Sequence, residues 1–268
     1  MSKKYNIGII GAGNIGSALA KHLVALGHSV VIANSRGPQT LIDVEKETGA
    51  KAVQISETIK DIVIVTIPFK NIEQLPKDLF RNAPKDLVII DTNNYYPGFR
   101  DAPIESLDKL ELTHSEWVSK TIGRSVVKVF NNISTYSLKF KPSKDKKHRV
   151  ALPIAGDDEK AKAIVFDLVE QIGFDPVDAG SLKDSWRQHP GTPSYGCDYG
   201  KEELQEKLKQ ADQSLSLKKL QQAFVLYGQA VEQFNKEKGK EWTMVEYLLQ
   251  GGEEFNDKFV DIQRSLYQ

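Results

Sequence analysis

Apolar positions along the chain switch between two periods. Residues 7–10 form a short continuous apolar run, the pattern of a strand buried on both faces. Ile15, Leu19, Leu23 and Leu26 then recur at helical spacing. Gly27 and His28 break that pattern before a second β-rich run over 30–33. Gly37-Pro38 opens a helix with proline at its favoured first position; Leu41, Val44 and Thr48 mark its inner side, and Gly49 ends it. Residues 51–55 read as a short strand, and Ser56 as the cap of a brief helix to Lys60. Residues 61–67 are a near-continuous apolar strand stopped by Pro68. Residues 71–81 read as helix in pieces around Pro76, 87–91 as the next buried strand, 115–120 as one or two helical turns, and 125–130 as another strand. In 149–155 a strand contains Pro153, which places it near an edge. Acids at 157–159 begin a helix whose inner face is Ala161, Ile164, Val165, Leu168 and Ile172, and 174–178 is a last short strand. This alternation predicts an α/β fold with a doubly wound, mostly parallel sheet.

The rhythm changes after residue 200. Leu217, Leu220, Phe224, Tyr227, Val231 and Phe234 form one helical stripe; Val245, Leu248, Gly252, Phe255, Phe259, Ile262 and Leu266 form a second. Gly239 separates them, so the pattern predicts a C-terminal helical hairpin, with Gly251-Gly252 weakening or bending its second arm. The expected organisation is a dinucleotide-type unit over 1–200 and an α-helical extension over 201–268. Its apolar stripes need cover, either on the sheet unit or on a second copy of the chain, and the expectation is a homodimer.

The turn after the first strand is Gly11, Ala12, Gly13, Asn14, Ile15, Gly16. A GxGxxG between a strand and a helix is the dinucleotide fingerprint of the Rossmann-type fold. Its first glycine makes the turn, its second lets backbone approach a pyrophosphate, and its third packs helix on strand. The helix start supplies unpaired N–H groups and positive dipole for the phosphates. The second strand ends in Asn34, Ser35 and Arg36, without the acid that accepts from an NAD ribose. Ser35 and Arg36 can donate to a 2′-phosphate, which points to NADP(H).

Composition narrows the alternatives. Over 268 residues, Lys plus Arg and Asp plus Glu are 36 each, so no charge excess argues for nucleic acid or a membrane surface. No apolar stretch approaches the length of a membrane span, and the start runs directly into the first strand without a signal-peptide pattern. A single cysteine, Cys197, excludes an internal disulfide and fits a reducing, cytoplasmic setting; an incidental role is expected for it. The five histidines show no metal-ligand spacing, so no metal site is expected.

Ligands gather at the carboxyl ends of strands in such sheets. Those ends read as the glycine turn, Asn34-Ser35-Arg36, Thr66-Ile67-Pro68, Thr92-Asn93-Asn94, Asn131-Asn132, and Gly156-Asp157, all expected to converge on one cleft. Thr66, Ile67, Pro68 and Asn93 are candidate cofactor residues, with Ile67 and Pro68 walling the nicotinamide; Asn93, Asn131 and Asn132 are candidates to hold its amide or the acceptor, and Asn131 and Asn132 are the candidate catalytic residues. Residues 186–196 are dense in turn formers, aromatics and donors, which makes Trp186, Arg187 and Tyr195, with Asn131 and Asn132, candidate substrate-lining residues. No triad, carboxylate pair or prominent lysine proton donor stands out.

These stretches together, with Asp91 to Tyr96, Val127 to Ile133, Pro153 to Asp158 and Gly173 to Gly180, resemble the F420-dependent NADP oxidoreductases and their predicted dinucleotide-binding relatives over residues 5 to about 200. Asn131 stands where well-known deazaflavin enzymes have histidine. The chain is also similar to the cytosolic domain of six-transmembrane ferric reductases. The resemblance implies an NADPH-dependent oxidoreductase in which hydride passes between NADP(H) and a stacked ring, a flavin or a deazaflavin (F420-like) being the second substrate. Two other readings stay open. One is a β-hydroxyacid-type dehydrogenase or imine reductase; the other is a non-catalytic NADPH-binding sensor. The expected partner is a small-molecule electron acceptor.

Overall fold

The computed structural model describes residues 3–250 and 252–268, and within 248–250 the backbone alone. β1 (Asn6–Ile10) leads through α1 (Asn14–Ala25) to β2 (Ser29–Ala33), followed by α2 (Ile42–Thr48), β3 (Lys51–Ala52), β4 (Ile62–Val65) and β5 (Val88–Asp91). Next come α3 (Glu105–Asp108), α4 (His114–Ile122), β6 (Val127–Lys128), α5 (Thr135–Phe140), β7 (Ala151–Ile154), α6 (Glu159–Ile172) and β8 (Asp175–Asp178). The chain closes with α7 (Lys201–Gln210), α8 (Gln213–Lys238), α9 (Met244–Gln250) and α10 (Gly252–Ser265).

β1 to β6 form one parallel sheet in the order β3-β2-β1-β4-β5-β6. Strand order reverses between β1 and β4, the switch point where Rossmann-type sheets take a dinucleotide. β1 has β2 on one side and β4 on the other, with Ile7 opposite both Val30 and Ile62. Side chains alternate between two cores. Ile7, Ile9, Ile62 and Ile64 pack with Leu19 and Leu23 of α1 and with α6; Ile10, Val63, Val65 and Ile89 pack with Val118 of α4. Burial on both faces is why these strands read as continuous apolar runs.

Local signals set most boundaries. Asp158 caps α6 by accepting from the N–H groups of Lys160 and Ala161, and Gly173 ends it at φ +113°. Thr113 and Glu116 form a reciprocal capping box on α4. Several expected elements come out differently. Gly37-Pro38 opens only a 3₁₀ turn, Pro38–Thr40, ahead of α2. Gln54, not Ser56, forms the capping box of a 3₁₀ turn over Ile55–Thr58. The helix in pieces of 71–81 is a 3₁₀ segment, Phe69–Gln74, followed by turns. The strand expected over 125–130 is reduced to β6, because Phe130 sits in the left-handed region at φ +62° and turns the chain out of the sheet.

β7 and β8 pair parallel with each other in a separate ribbon, and Ala155 bridges Lys128 antiparallel. The direction of β7 corrects one expectation. Its exit carries Gly156 back beside Val126 and Val127, so Gly156-Asp157 does not join the other strand ends. α7, which the sequence pattern did not resolve, lays Leu204 and Leu208 against Ala151 and Val177 of this ribbon.

The extension is a hairpin with a divided second arm. α8 packs Ala223, Tyr227, Val231 and Phe234 against Tyr247, Phe255, Ile262 and Leu266. Gly252 takes φ +66° at the break; Gly251 and the side chain of Leu248, like Met1 and Ser2 of the expected leaderless start, lie outside the described residues. The stripes thus bury largely on each other and on loops of the sheet unit, while Leu217 and Val245 stay exposed. Phe224 stacks on Phe99, with ring centroids 4.5 Å apart. Arg264 donates to the carbonyl of Cys197 from Nε and Nη2 at 3.1 and 2.8 Å, and the Tyr267 hydroxyl donates to the carbonyl of Gly191. Among the described residues no helix is long and apolar enough to cross a membrane.

Candidate dinucleotide site

The glycine turn is packed tightly on two sides and open on the third. Gly11 has φ +116°, and a Cβ there would lie 2.3 Å from the Thr66 carbonyl oxygen. A Cβ on Gly16 would lie 1.9 Å from the Gly11 carbonyl oxygen and 2.9 Å from Thr66 Cγ2. At Gly13 it would meet nothing within 4 Å. These are the three different demands that a pyrophosphate-binding turn places on its glycines. Gly13 is also the N-cap of α1 and supplies no side-chain cap, and the first turn of α1 carries no acid. The N–H groups of Asn14, Ile15 and Gly16 therefore keep their capacity for an anion. The turn fits the phosphates of a dinucleotide.

The tip of β2 is shaped by Asn34. Its Oδ1 accepts from the Arg36 N–H at 3.0 Å, and its Nδ2 donates to Thr40 Oγ1 at 2.9 Å. Asn34 is thus committed to the turn. Ser35 and Arg36 are exposed, and Arg36 has no ion pair among the described residues. With no carboxylate at the tip, the guanidinium is available to a second anion beyond the pyrophosphate.

Thr66 leaves β4 against the glycine turn, followed by half-buried Ile67 and exposed Pro68. At the end of β5 lies a buried polar group that the sequence did not single out. Asp91 and Lys128 are both fully buried, with Lys128 Nζ 3.7 Å from Asp91 Oδ2. Ser115 Oγ donates to Asp91 Oδ2 at 2.5 Å, and Lys128 Nζ lies 3.0 Å from Ser115 Oγ and 2.8 Å from the Asn93 carbonyl oxygen. Burial lowers the Lys128 pKa, and the Asp91 carboxylate opposes that shift. Lys128 is thus a buried lysine at the strand ends that the sequence reading passed over, sealed and not open as a proton donor. The available signal was a charged residue in the middle of the apolar run 126–130.

Asn131 is 4% exposed and fully engaged. Its Nδ2 donates to Asn94 Oδ1 and to the Gln188 carbonyl, its Oδ1 accepts from Gln188 Nε2 at 2.8 Å, and its own carbonyl accepts from Asn94 Nδ2. It ties three loops together and has no spare donor for a substrate. Asn132 is also buried, reaching the Ser194 carbonyl at 3.5 Å, and its Oδ1 has no partner. The Tyr195 hydroxyl lies 2.6 Å from that of Tyr96, and burial raises both phenol pKa values. Trp186 and Arg187 do not join this group. The Arg187 guanidinium lies 4.6 Å from the Trp186 ring centroid, donates to the Leu208 carbonyl, and lines a surface hollow with Asp178, Gln205 and Lys209. Sequence reasoning also missed Asn94 and Gln188 as partners of Asn131, because partners 37 and 57 residues away leave no local pattern.

Residues 6–95 match the model of the family described as NADP oxidoreductase, coenzyme F420-dependent. The chain belongs to that family. Among solved structures it is similar to the hypothetical protein SMa0349 of Sinorhizobium meliloti, at 32% identity, covering 67% of this chain and 87% of that one with a TM-score of 0.58. Mycobacterium tuberculosis 3-hydroxyisobutyrate dehydrogenase shares the fold, at 15% identity over 94% of this chain and 72% of that one, TM-score 0.51. The metalloreductase STEAP3 of Rattus norvegicus is 28% identical over 181 residues, 66% of this chain and 34% of the rat protein. The chain spans about a third of the length of the curated relatives it matches.

Proposed function

We propose that this protein is an NADP(H)-dependent oxidoreductase that transfers hydride between the nicotinamide and a small-molecule ring acceptor, a flavin or a deazaflavin. The observation that carries the cofactor half is the pairing of an uncapped helix N-terminus at Gly13 with an acid-free β2 tip whose Arg36 is exposed. Asn14, Ile15 and Gly16 would hold the pyrophosphate through backbone N–H groups. Ser35 and Arg36 would hold the 2′-phosphate. Ile67 and Pro68 would wall one side of the nicotinamide. NADPH, when bound, supplies the hydride.

Transfer between two rings depends on alignment and exclusion of water more than on a strong acid or base. The strand ends suit that demand. They offer an apolar wall at Ile67 and Pro68 and an amide at Asn93, while the nearby amine, Lys128, is sealed and held by Asp91 and Ser115. A reductase of carbonyls or imines would need a proton donor open to the substrate, and Lys128 is fully buried. The α8–α10 hairpin, by pinning the 191–197 loop, would keep water from the acceptor side.

The test is a titration of the purified protein with NADPH and NADH, followed by NADPH oxidation assays with FMN, FAD, F420, quinones and small carbonyls. Turnover with ring acceptors and preference for NADPH are expected. Turnover confined to carbonyls or imines would replace the ring acceptor in this reading; tight binding without turnover in any assay would replace catalysis by sensing.

A further inference from the structure

The two N–H donors of Asn93 that face inward are claimed by one carboxylate. Asp91 Oδ1 accepts from the Asn93 backbone N–H at 3.0 Å and from Asn93 Nδ2 at 2.7 Å, and Nδ2 also lies 3.5 Å from the Val65 carbonyl oxygen. A carboxylate and a carbonyl can only accept, so chemistry fixes which end of the Asn93 amide points inward. Oδ1 must point the other way. It makes no hydrogen bond among the described residues, and it is not one of the sealed side-chain atoms. Lys128 holds the same residue from behind through the Asn93 carbonyl, so amide and backbone are both fixed.

The β1–β2 half of the sheet carries the tip that reads the adenosine ribose, so the other mononucleotide half, over the ends of β4 and β5, belongs to the nicotinamide. Asn93 stands at that end. We propose that the buried Asp91–Lys128 pair is a positioning device that presents Asn93 Oδ1 as an acceptor for the carboxamide N–H₂ of the nicotinamide. The inference rests on the NADP(H) reading above. Asp91 and Lys128 act through Asn93 and touch no ligand. The arrangement accepts a ring bearing an amide donor and leaves Oδ1 unpaired against a ring without one.

The test compares three ligands by equilibrium binding: NADPH, its reduced 3-acetylpyridine analogue, which keeps the carbonyl but lacks the N–H₂, and 2′-phospho-ADP-ribose, which lacks the ring. The wild-type protein is expected to prefer NADPH to the analogue by about three- to tenfold, the worth of one neutral hydrogen bond. Asn93→Ala should bring that ratio near one. Lys128→Met should do the same while leaving 2′-phospho-ADP-ribose affinity unchanged. Because Lys128→Met leaves Asp91 uncompensated, Asp91→Asn with Lys128→Met is the second variant; it removes both charges and lets residue 91 donate as well as accept, freeing the Asn93 amide to turn. A wild-type ratio retained in either folded Lys128 variant assigns the pair a purely structural role and overturns the proposal. A wild-type ratio of one overturns it at Asn93. Failure of the wild type to bind 2′-phospho-ADP-ribose would instead sink the NADP(H) reading beneath it.

Discussion

The imidazole rings of His114 and His189 lie face to face, with centroids 3.4 Å apart and planes 7° from parallel. His189 is buried and His114 half-buried; His114 Nδ1 accepts from the Tyr95 N–H, and His189 Nε2 has no partner. Burial, first, and the charges of Lys128 and Arg100 hold His114 well below the ordinary imidazole value of 6.5; burial, then His114 and Lys128, do so for His189. The native pair is therefore neutral where the unfolded chain is protonated. Stability is full above pH 6.5 and falls as pH drops from 6.5 toward the depressed native values, by about 1.4 kcal/mol per pH unit for each proton taken up only on unfolding. Urea unfolding between pH 5 and 8 measures this slope. His189→Phe, which keeps a stacked ring, should reduce the slope by about one proton; an unchanged slope would show that other groups set it.

Gly13 and Gly16 should separate binding from folding. Alanine at Gly16 meets the Gly11 carbonyl at 1.9 Å, an overlap that backbone must move to relieve, and a loss of about 3 kcal/mol in stability is expected. Alanine at Gly13 has open space, so the protein should unfold at the wild-type midpoint but bind NADPH at least tenfold more weakly. Thermal unfolding and fluorescence titration of the two variants give the comparison.

Arg36→Ala should weaken NADPH by roughly tenfold to a hundredfold, the usual worth of a hydrogen bond to a charged group. NADH, lacking the 2′-phosphate, should be nearly unaffected, and stability should not change, since Arg36 is exposed and without an ion pair among the described residues. Equal weakening of both cofactors in isothermal titration would remove Arg36 from the site.

Cys197 reports on the extension. It is buried, its pKa is pushed up to about 12 by burial, and its carbonyl is held by Arg264. The wild-type thiol should resist iodoacetamide at neutral pH until the protein opens. Arg264→Ala, which leaves that carbonyl without two charged donors, should cost about 1.5–3 kcal/mol and speed labelling in proportion to the loss. Mass spectrometry of the alkylated fraction over time checks both.

Periodicity alone determined the Rossmann-type unit. Ile7 to Ile10 before a glycine turn, followed by Ile15, Leu19 and Leu23 at helical spacing, is a local pattern. Each strand buried on two faces, and each helix buried on one, must write its own burial into neighbouring residues. The acid-free tip at Asn34-Ser35-Arg36 was legible for the same reason, because three adjacent residues carry it. The hairpin was legible as two stripes, and the break of its second arm from Gly251-Gly252.

Tertiary structure alone decided the rest, wherever a residue's role depends on partners distant in the chain. Lys128 became the counter-ion of Asp91 only when β5 and β6 paired, Asp91 opposite Lys128. Asn131 changed from an open candidate to a spent one because Asn94 and Gln188 arrive from loops far along the sequence. The reversal of β7 carried Gly156-Asp157 away from the cleft, and no local pattern encodes strand direction. Hydrophobic period is set by the nearest turn of backbone, whereas the fate of a buried polar side chain is set by whichever donors and acceptors the fold brings to it.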